Sequence, residues 1–232
     1  MRVSIFATCL VDQFFPRTGL AMAEVLERAG CTVEFREAQT CCGQPAFNAG
    51  YPGEARAVAR HFAEVFAGAE HVIVPAGSCA AMLSRHLPEL LEDAGPLAGR
   101  VHEFATFLAD VLGVEDLGAR YPAVATYHDS CHALRELGVK SAPRRLLAHV
   151  RGLELREMDL AEECCGFGGT FAVKFPEVSA AMGRTKAESI ARTGADTVIS
   201  IDSGCLMQLA GVLGRAGSPV RAVHLAEVLA SR

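Results

Sequence analysis

Two tripeptides of the same chemistry, Cys41-Cys42-Gly43 and Cys164-Cys165-Gly166, set paired thiols beside a glycine at distant points of the sequence. Neighbouring side chains of a regular strand point to opposite faces. Consecutive thiols can therefore serve one bound group only where the chain bends sharply. Glycine supplies the positive-φ backbone for such a bend. In the second copy, Gly168 and Gly169 let the backbone approach a bulky group and offer it N–H donors. The remaining cysteines are Cys9, Cys31, Cys79, Cys131 and Cys205, nine in all. In a reducing compartment that number favours metal or redox chemistry over a disulfide framework.

The cysteines also expose an internal repeat. Cys9 to Cys131 is a step of 122 positions, Cys41 to Cys164 of 123 and Cys79 to Cys205 of 126. Their surroundings repeat with them: GAEHVIVPAGSCAAML (from Gly68) faces GADTVISIDSGCLMQL (from Gly194), and FLADVLG faces HLAEVLA. Cys31 faces Leu153, falls outside the pattern, and is expected to be a core thiol.

The elements needed to position these residues follow from periodicity. RVSIFA, CTVEFRE and HVIVPA read as strands, with GLAMAEVLERAG and PGEARAVARHFAEVF as helices between them. The second half repeats the order with AVATYH, APRRLLAHVRG, LELREM, PEVSAAMGRTKAESIARTG, DTVISI and CLMQLAGVLG. Such alternation predicts an α/β fold of two similar Rossmann-like halves, each a small, mostly parallel sheet flanked by helices. GVEDLGARYP breaks the periodicity, so the expected domains are 1–117 and 118–232.

Parallel strands joined by right-handed crossovers end on one edge, where open α/β sheets bind ligands. Each half therefore gathers four thiols at its carboxyl edge, with Cys79 and Cys205 at helix starts whose dipole favours a thiolate. Zinc accepts four thiolates, but its sites usually use short Cys-x₂₋₄-Cys knuckles, and none is present. Iron–sulfur clusters accept ligands from distant segments and relieve the crowding of adjacent cysteines around one ion. An iron–sulfur cluster is favoured, while zinc in one half and a thiol switch stay open.

Around Cys131 lie His128, Asp129, His132 and Arg135, matched in the first half only by Asp12. His128 or His132 could move a proton of a hydroxy acid, and Arg135 or Lys174 could hold its carboxylate. The plainer reading, that these groups tune a cluster by hydrogen bonds or cap a helix, is preferred. GFGGT is not a phosphate-binding loop, because no Gly-Lys-Ser/Thr is present, and no Gly-x-Gly-x-x-Gly follows a strand.

The duplicated Cys…Cys-Cys-Gly…Cys unit resembles the cysteine-rich domain found in heterodisulfide reductases and in glycolate oxidase iron–sulfur subunits. TCLVDQFFPRTGLAMAEVLERAGCTVEF, CCGQPAFNAGY, GSCAAM, DSCH, ECCGFGGTFAVK and HLAEVL extend the similarity, over nearly the whole chain, to the lactate utilisation protein A family. That resemblance implies ligands Cys9, Cys41, Cys42 and Cys79 for one centre and Cys131, Cys164, Cys165 and Cys205 for the other. It implies up to two clusters, conventional 4Fe–4S in type. It further implies an electron-transferring subunit of a cytosolic complex oxidising L-lactate to pyruvate. The implied partners are a ferredoxin-type iron–sulfur subunit (lactate utilisation protein B-like) and a third small subunit (protein C-like). The heterodisulfide reductase pattern ends in Cys-x-x-Cys, where this chain has Met82 and Gln208. The missing fifth thiols count against a noncubane cluster and against the rival reading, a thiol–disulfide oxidoreductase. A zinc-binding structural module is the other rival.

Composition narrows the remaining classes. The formal charge of −5 and the absence of a Lys/Arg cluster argue against nucleic acid or an anionic membrane as partner. No apolar run is long enough for a transmembrane helix, and the N-terminus lacks a signal-peptide pattern, so a cytoplasmic location is expected.

Overall fold

β1 (Arg2–Ile5) pairs in parallel with β2 (Thr32–Phe35) on one side and β3 (Val72–Val74) on the other, and β3 pairs with β4 (Val101–Glu103). The second sheet copies this: β5 (Arg120–Tyr127) lies between β6 (Arg151–Leu155) and β7 (Thr197–Ser200), and β7 pairs with β8 (Arg221–His224). The strand orders are β2-β1-β3-β4 and β6-β5-β7-β8, in a computed structural model describing residues 1–232. The expected fold class, two similar α/β halves with parallel sheets, is what the structure has. Val72–Val74 and Thr197–Ser200 are buried throughout, as strands covered on both faces must be.

Local sequence explains the main helices. Pro16, Pro52 and Pro176 stand at the first turn of the helices Pro16–Arg28, Pro52–Phe66 and Pro176–Arg192, where a missing N–H costs nothing. Met22, Val25 and Leu26 form the buried stripe of the first. Two strands were not expected from periodicity, β4 and β8. Each is too short to show alternation. β6 begins at Arg151, two residues before the predicted strand, and β5 begins inside the segment read as a break.

The last helix of each half packs across the molecule. Leu225–Ala230 lies on Pro16–Arg28 of the first half, and the segment Phe104–Val111 lies on Ser141–Ala148 of the second. A single core of 29 buried residues joins Val3, Ile5, Met22 and Leu26 to Tyr127, Leu146, Ile199 and Leu225. Arg28 donates to the carbonyls of Leu117, Leu229 and Ala230, and Thr18 donates to Glu227 at 2.6 Å. A second seam joins the helix starts Gly77–Ala81 and Cys131–Leu137. A Cβ on Gly77 would stand 2.4 Å from that of Ala133, so only glycine permits this approach. No helix is long and apolar enough to cross a membrane.

Candidate metal centre

All eight repeat-related cysteines lie at the carboxyl edges of the two sheets, on short loops and helix starts. Cys9 and Cys131 open helices, while Cys79 and Cys205 are each the third residue of one. The paired cysteines sit on the expected turns: Gly43 has φ +86° and Gly166 φ +88°. The bend brings the glycine N–H onto the first thiol of each pair, with Gly43 donating to Cys41 Sγ at 3.5 Å and Gly166 to Cys164 Sγ at 3.4 Å. Thr8 holds φ 67° and ψ 150°, a conformation costly for a residue with a Cβ, and its hydroxyl accepts from Val11 N–H just before Cys9. Cys31 is buried in the shared core, as expected, away from the others.

In the first half Cys9 Sγ lies 3.9 Å from Cys41 Sγ, and Cys42 Sγ lies 3.1 Å from Cys79 Sγ. Sulfurs around one tetrahedral ion with bonds of about 2.3 Å stand roughly 3.8 Å apart, so the Cys9–Cys41 pair stands at that spacing and the Cys42–Cys79 pair inside it. Their ionisation is uneven. Hydrogen bonds from Cys42 and Cys9 hold the Cys41 thiol far below its usual range, and bonds from Cys131 and Cys165 do the same for Cys164. Cys9 and Cys131, donors in those pairs, are pushed up correspondingly. Each half therefore presents one ready thiolate and several protons that a metal must displace.

The two sets do not form separate openings. All eight thiols, four from each half, line one cavity of about 410 Å³. Close packing of the Gly77–Ala81 and Cys131–Leu137 helix starts turns the two sheet edges towards each other. Asp202 lies on the cavity wall between them, 4% exposed. Its Oδ1 accepts from the Gly204 and Cys205 N–H groups, capping its own helix. Its Oδ2 accepts from Ser78 N–H at 2.9 Å in the other half. Ala76 takes the place of Asp202 in the first repeat. The Gly77–Ala81 helix has no side-chain cap of its own, so Asp202 serves both helix starts.

Of the other residues singled out in the sequence, His132 lines the cavity, with Nδ1 3.6 Å from Cys131 Sγ and Nε2 3.6 Å from Glu136. His128 is fully buried behind the second set, its ring reaching towards Cys165 and Cys205 with donor atoms within 4.8 Å of one another. Arg135 and Lys174 are exposed and do not line the cavity, because each falls on the solvent side of its helix. The positions of the absent fifth thiols are also turned away: Met82 is buried in the first half's core, and Gln208 donates to Ser179. Asp202 and the buried Lys186 were missed. Both show in the sequence only when the repeats are compared position by position, where Asp202 faces Ala76 and Lys186 faces Phe62.

The donor set is soft sulfur supported by backbone N–H groups, which suits thiophilic metals and sulfide-bridged clusters and disfavours magnesium or calcium. The site is thus built to hold a metal or a cluster. Comparison with known proteins agrees. The cysteine-rich CCG domain matches residues 3–84 and again 125–210. Lactate utilization protein A of Geobacillus thermodenitrificans is 50% identical over 238 residues, covering 100% of both chains. Lactate utilization protein A of Bacillus cereus is 46% identical over 239 residues, again covering 100% of both. Among solved structures, Francisella tularensis glutamate racemase aligns with 99% of this chain and 78% of its own at a TM-score of 0.37 and 9% identity. With its duplicated cysteine-rich domain and full-length identity to those relatives, the chain belongs to the lactate utilization protein A family.

Proposed function

We propose that each cysteine set holds an iron–sulfur cluster of the 4Fe–4S type, up to two per chain. On this reading the protein is the electron-transferring subunit of a cytosolic complex that oxidises L-lactate to pyruvate. It works with a ferredoxin-type iron–sulfur subunit and a third small subunit. The observation that carries the reading is the convergence of eight thiols from distant segments on one cavity wall. Cys9, Cys41, Cys42 and Cys79 would bind one group, and Cys131, Cys164, Cys165 and Cys205 the other. A bound cluster supplies one-electron transfer. The Gly43 and Gly166 N–H groups donate to ligand sulfurs, and Asp202 fixes the helix starts that carry Cys79 and Cys205.

Anaerobic purification tests this directly. A brown protein with iron and labile sulfide is the expected result, and Cys42→Ser or Cys165→Ser should each lower iron by about half. Stoichiometric zinc in both halves, without iron, would sink the proposal. So would unchanged iron in both serine variants. The lactate step is tested with the reassembled three-subunit complex, in which L-lactate should bleach the cluster absorbance of this subunit.

A further inference from the structure

The two cysteine sets rest on chemically different beds. Beneath the first, Phe6 meets Phe62 edge-on at 5.5 Å and Phe66 at 5.7 Å, all three at most 2% exposed. Cys42 packs in the same apolar cluster, which offers its sulfur no donor. Beneath the second, the repeat steps place His128 where the first half has Phe6. They place Lys186 where it has Phe62, counting from Pro52 and Pro176 at the helix starts. An aromatic pair has become an imidazole and an ammonium, 0% and 1% exposed.

Neither ring nitrogen of His128 makes a well-aligned hydrogen bond; the acceptor beside the ring, the Ala161 carbonyl, already takes the Asp129 N–H and the Lys186 ammonium. A fully buried imidazole without partners forfeits its hydration for nothing in return, unless a group bound in front of it takes the N–H. Its ring atoms face Cys165 and Cys205, two ligands of the second set. Lys186 is committed elsewhere, donating to the carbonyls of Leu160 and Ala161 on the loop that leads to Cys164.

We propose that His128, with the Lys186 ammonium behind it, donates its ring N–H to the group bound at the second cysteine set, so that the second centre has the higher reduction potential. Hydrogen bonds to cluster sulfurs and nearby positive charge both favour the reduced, more negative state, and the phenylalanine bed of the first set provides neither. With clusters bound, an electron on the group held by the first set would pass to the one held by the second, from the Phe6 side to the His128 side, across the cavity they share. This inference rests on the iron–sulfur reading of the site.

A potentiometric titration of the anaerobically prepared full chain, followed by electron paramagnetic resonance, provides the test. The wild-type protein should show two distinct midpoints. His128→Phe, which installs the first half's residue, should move the higher midpoint down towards the lower while iron content stays full. His128→Gln keeps an N–H donor and should restore most of the separation, and Lys186→Met should lower the same midpoint. Should His128→Phe fail to fold, the Gln and Met variants carry the comparison. Full iron with a single wild-type midpoint, or with midpoints unmoved in the variants, overturns the inference alone. Loss of half the iron in His128→Phe overturns it too, by making the ring a ligand. A zinc-loaded, redox-silent protein removes the iron–sulfur reading first and this inference with it.

Discussion

Gly43 and Gly166 hold the same left-handed backbone in two copies of one turn, yet their surroundings differ. A Cβ on Gly43 would meet nothing nearer than Val58 Cγ1 at 3.4 Å, whereas on Gly166 it would lie 2.5 Å from the Ser179 carbonyl oxygen and 3.0 Å from Met182 Cβ. Gly43→Ala should therefore cost only the left-handed penalty, about 1–2 kcal/mol. Gly166→Ala must also displace the Pro176–Arg192 helix and should cost clearly more, with loss of metal from the second set. Denaturant midpoints and metal stoichiometry of the two variants check this, and equal effects would refute it. The cysteines and their turn glycines could be read in the sequence because a turn is set by adjacent residues. Arg135 and Lys174 could not be placed, since a side chain's direction depends on helix phase and on what the helix packs against. His128 was visible as a candidate, but its burial near Lys186 depends on the Leu160–Ala161 loop, whose carbonyls take the Lys186 ammonium and the Asp129 N–H from segments remote in sequence. No local pattern encodes those contacts.

Capping decides how secondary elements present the thiols. Asp202 accepts N–H groups from two helices, one in each half, and Asp202→Ala leaves both starts uncapped. At about 1 kcal/mol per buried cap the loss should be about 2 kcal/mol. Asp202→Asn keeps one acceptor and should lose roughly half as much, measured by chemical denaturation of the metal-free protein. His224 plays a related part at the end of β8. Its Nδ1 accepts from Ala226 N–H, capping the Leu225–Ala230 helix, while Nε2–H donates to the Pro75 carbonyl of the first half. The cap requires an unprotonated Nδ1, and burial lowers the ring's pKa. His102, beside His71 at 3.1 Å, is likewise held down to about 4 by burial and by that neighbour. In the unfolded chain both protonate near pH 6.5. The stability they contribute is whole above that value and is lost as pH falls towards the folded pKa values. The part of the unfolding midpoint that these two rings supply should thus be constant above pH 7 and be lost below 6.5, and His224→Asn, which can still cap, should flatten part of that fall. The strand–helix alternation was legible because it spans many residues. The cap lent by Asp202 across the halves was not, because Asp202 and Ser78 are remote in sequence.

Duplicated sequence gives two sheets that share one core, because the closing helix of each half packs on the other. Leu225, Ala226, Val228 and Leu229 are at most 1% exposed, and they cover Met22, Val25 and Leu26 of the opposite half. Burial of each Leu or Val side chain is worth about 1.5–3 kcal/mol, so the three larger ones together approach the whole stability of an ordinary domain, about 5–15 kcal/mol. The repeat boundary read from the sequence could not show this, since duplication reports ancestry and strand order, whereas the packing is a matter of which neighbour each last helix meets. A chain ending at His224 should therefore lose cooperative unfolding in both halves, although every cysteine and every strand remains. The two segments 1–117 and 118–232 should each be unfolded alone and should regain helical circular dichroism when mixed, because each supplies the helix that the other's core lacks. The intact chain should unfold in a single transition, with the same midpoint whether followed by circular dichroism or by thiol labelling of Cys31, a core residue of the first half. A truncated chain that kept its own sharp transition, or a first segment that folded unaided, would show that the shared core is an accessory contact. In that case the meeting of the two cysteine sets in one cavity would rest on the Gly77–Ala133 seam and on the Asp202–Ser78 and His224–Pro75 bonds.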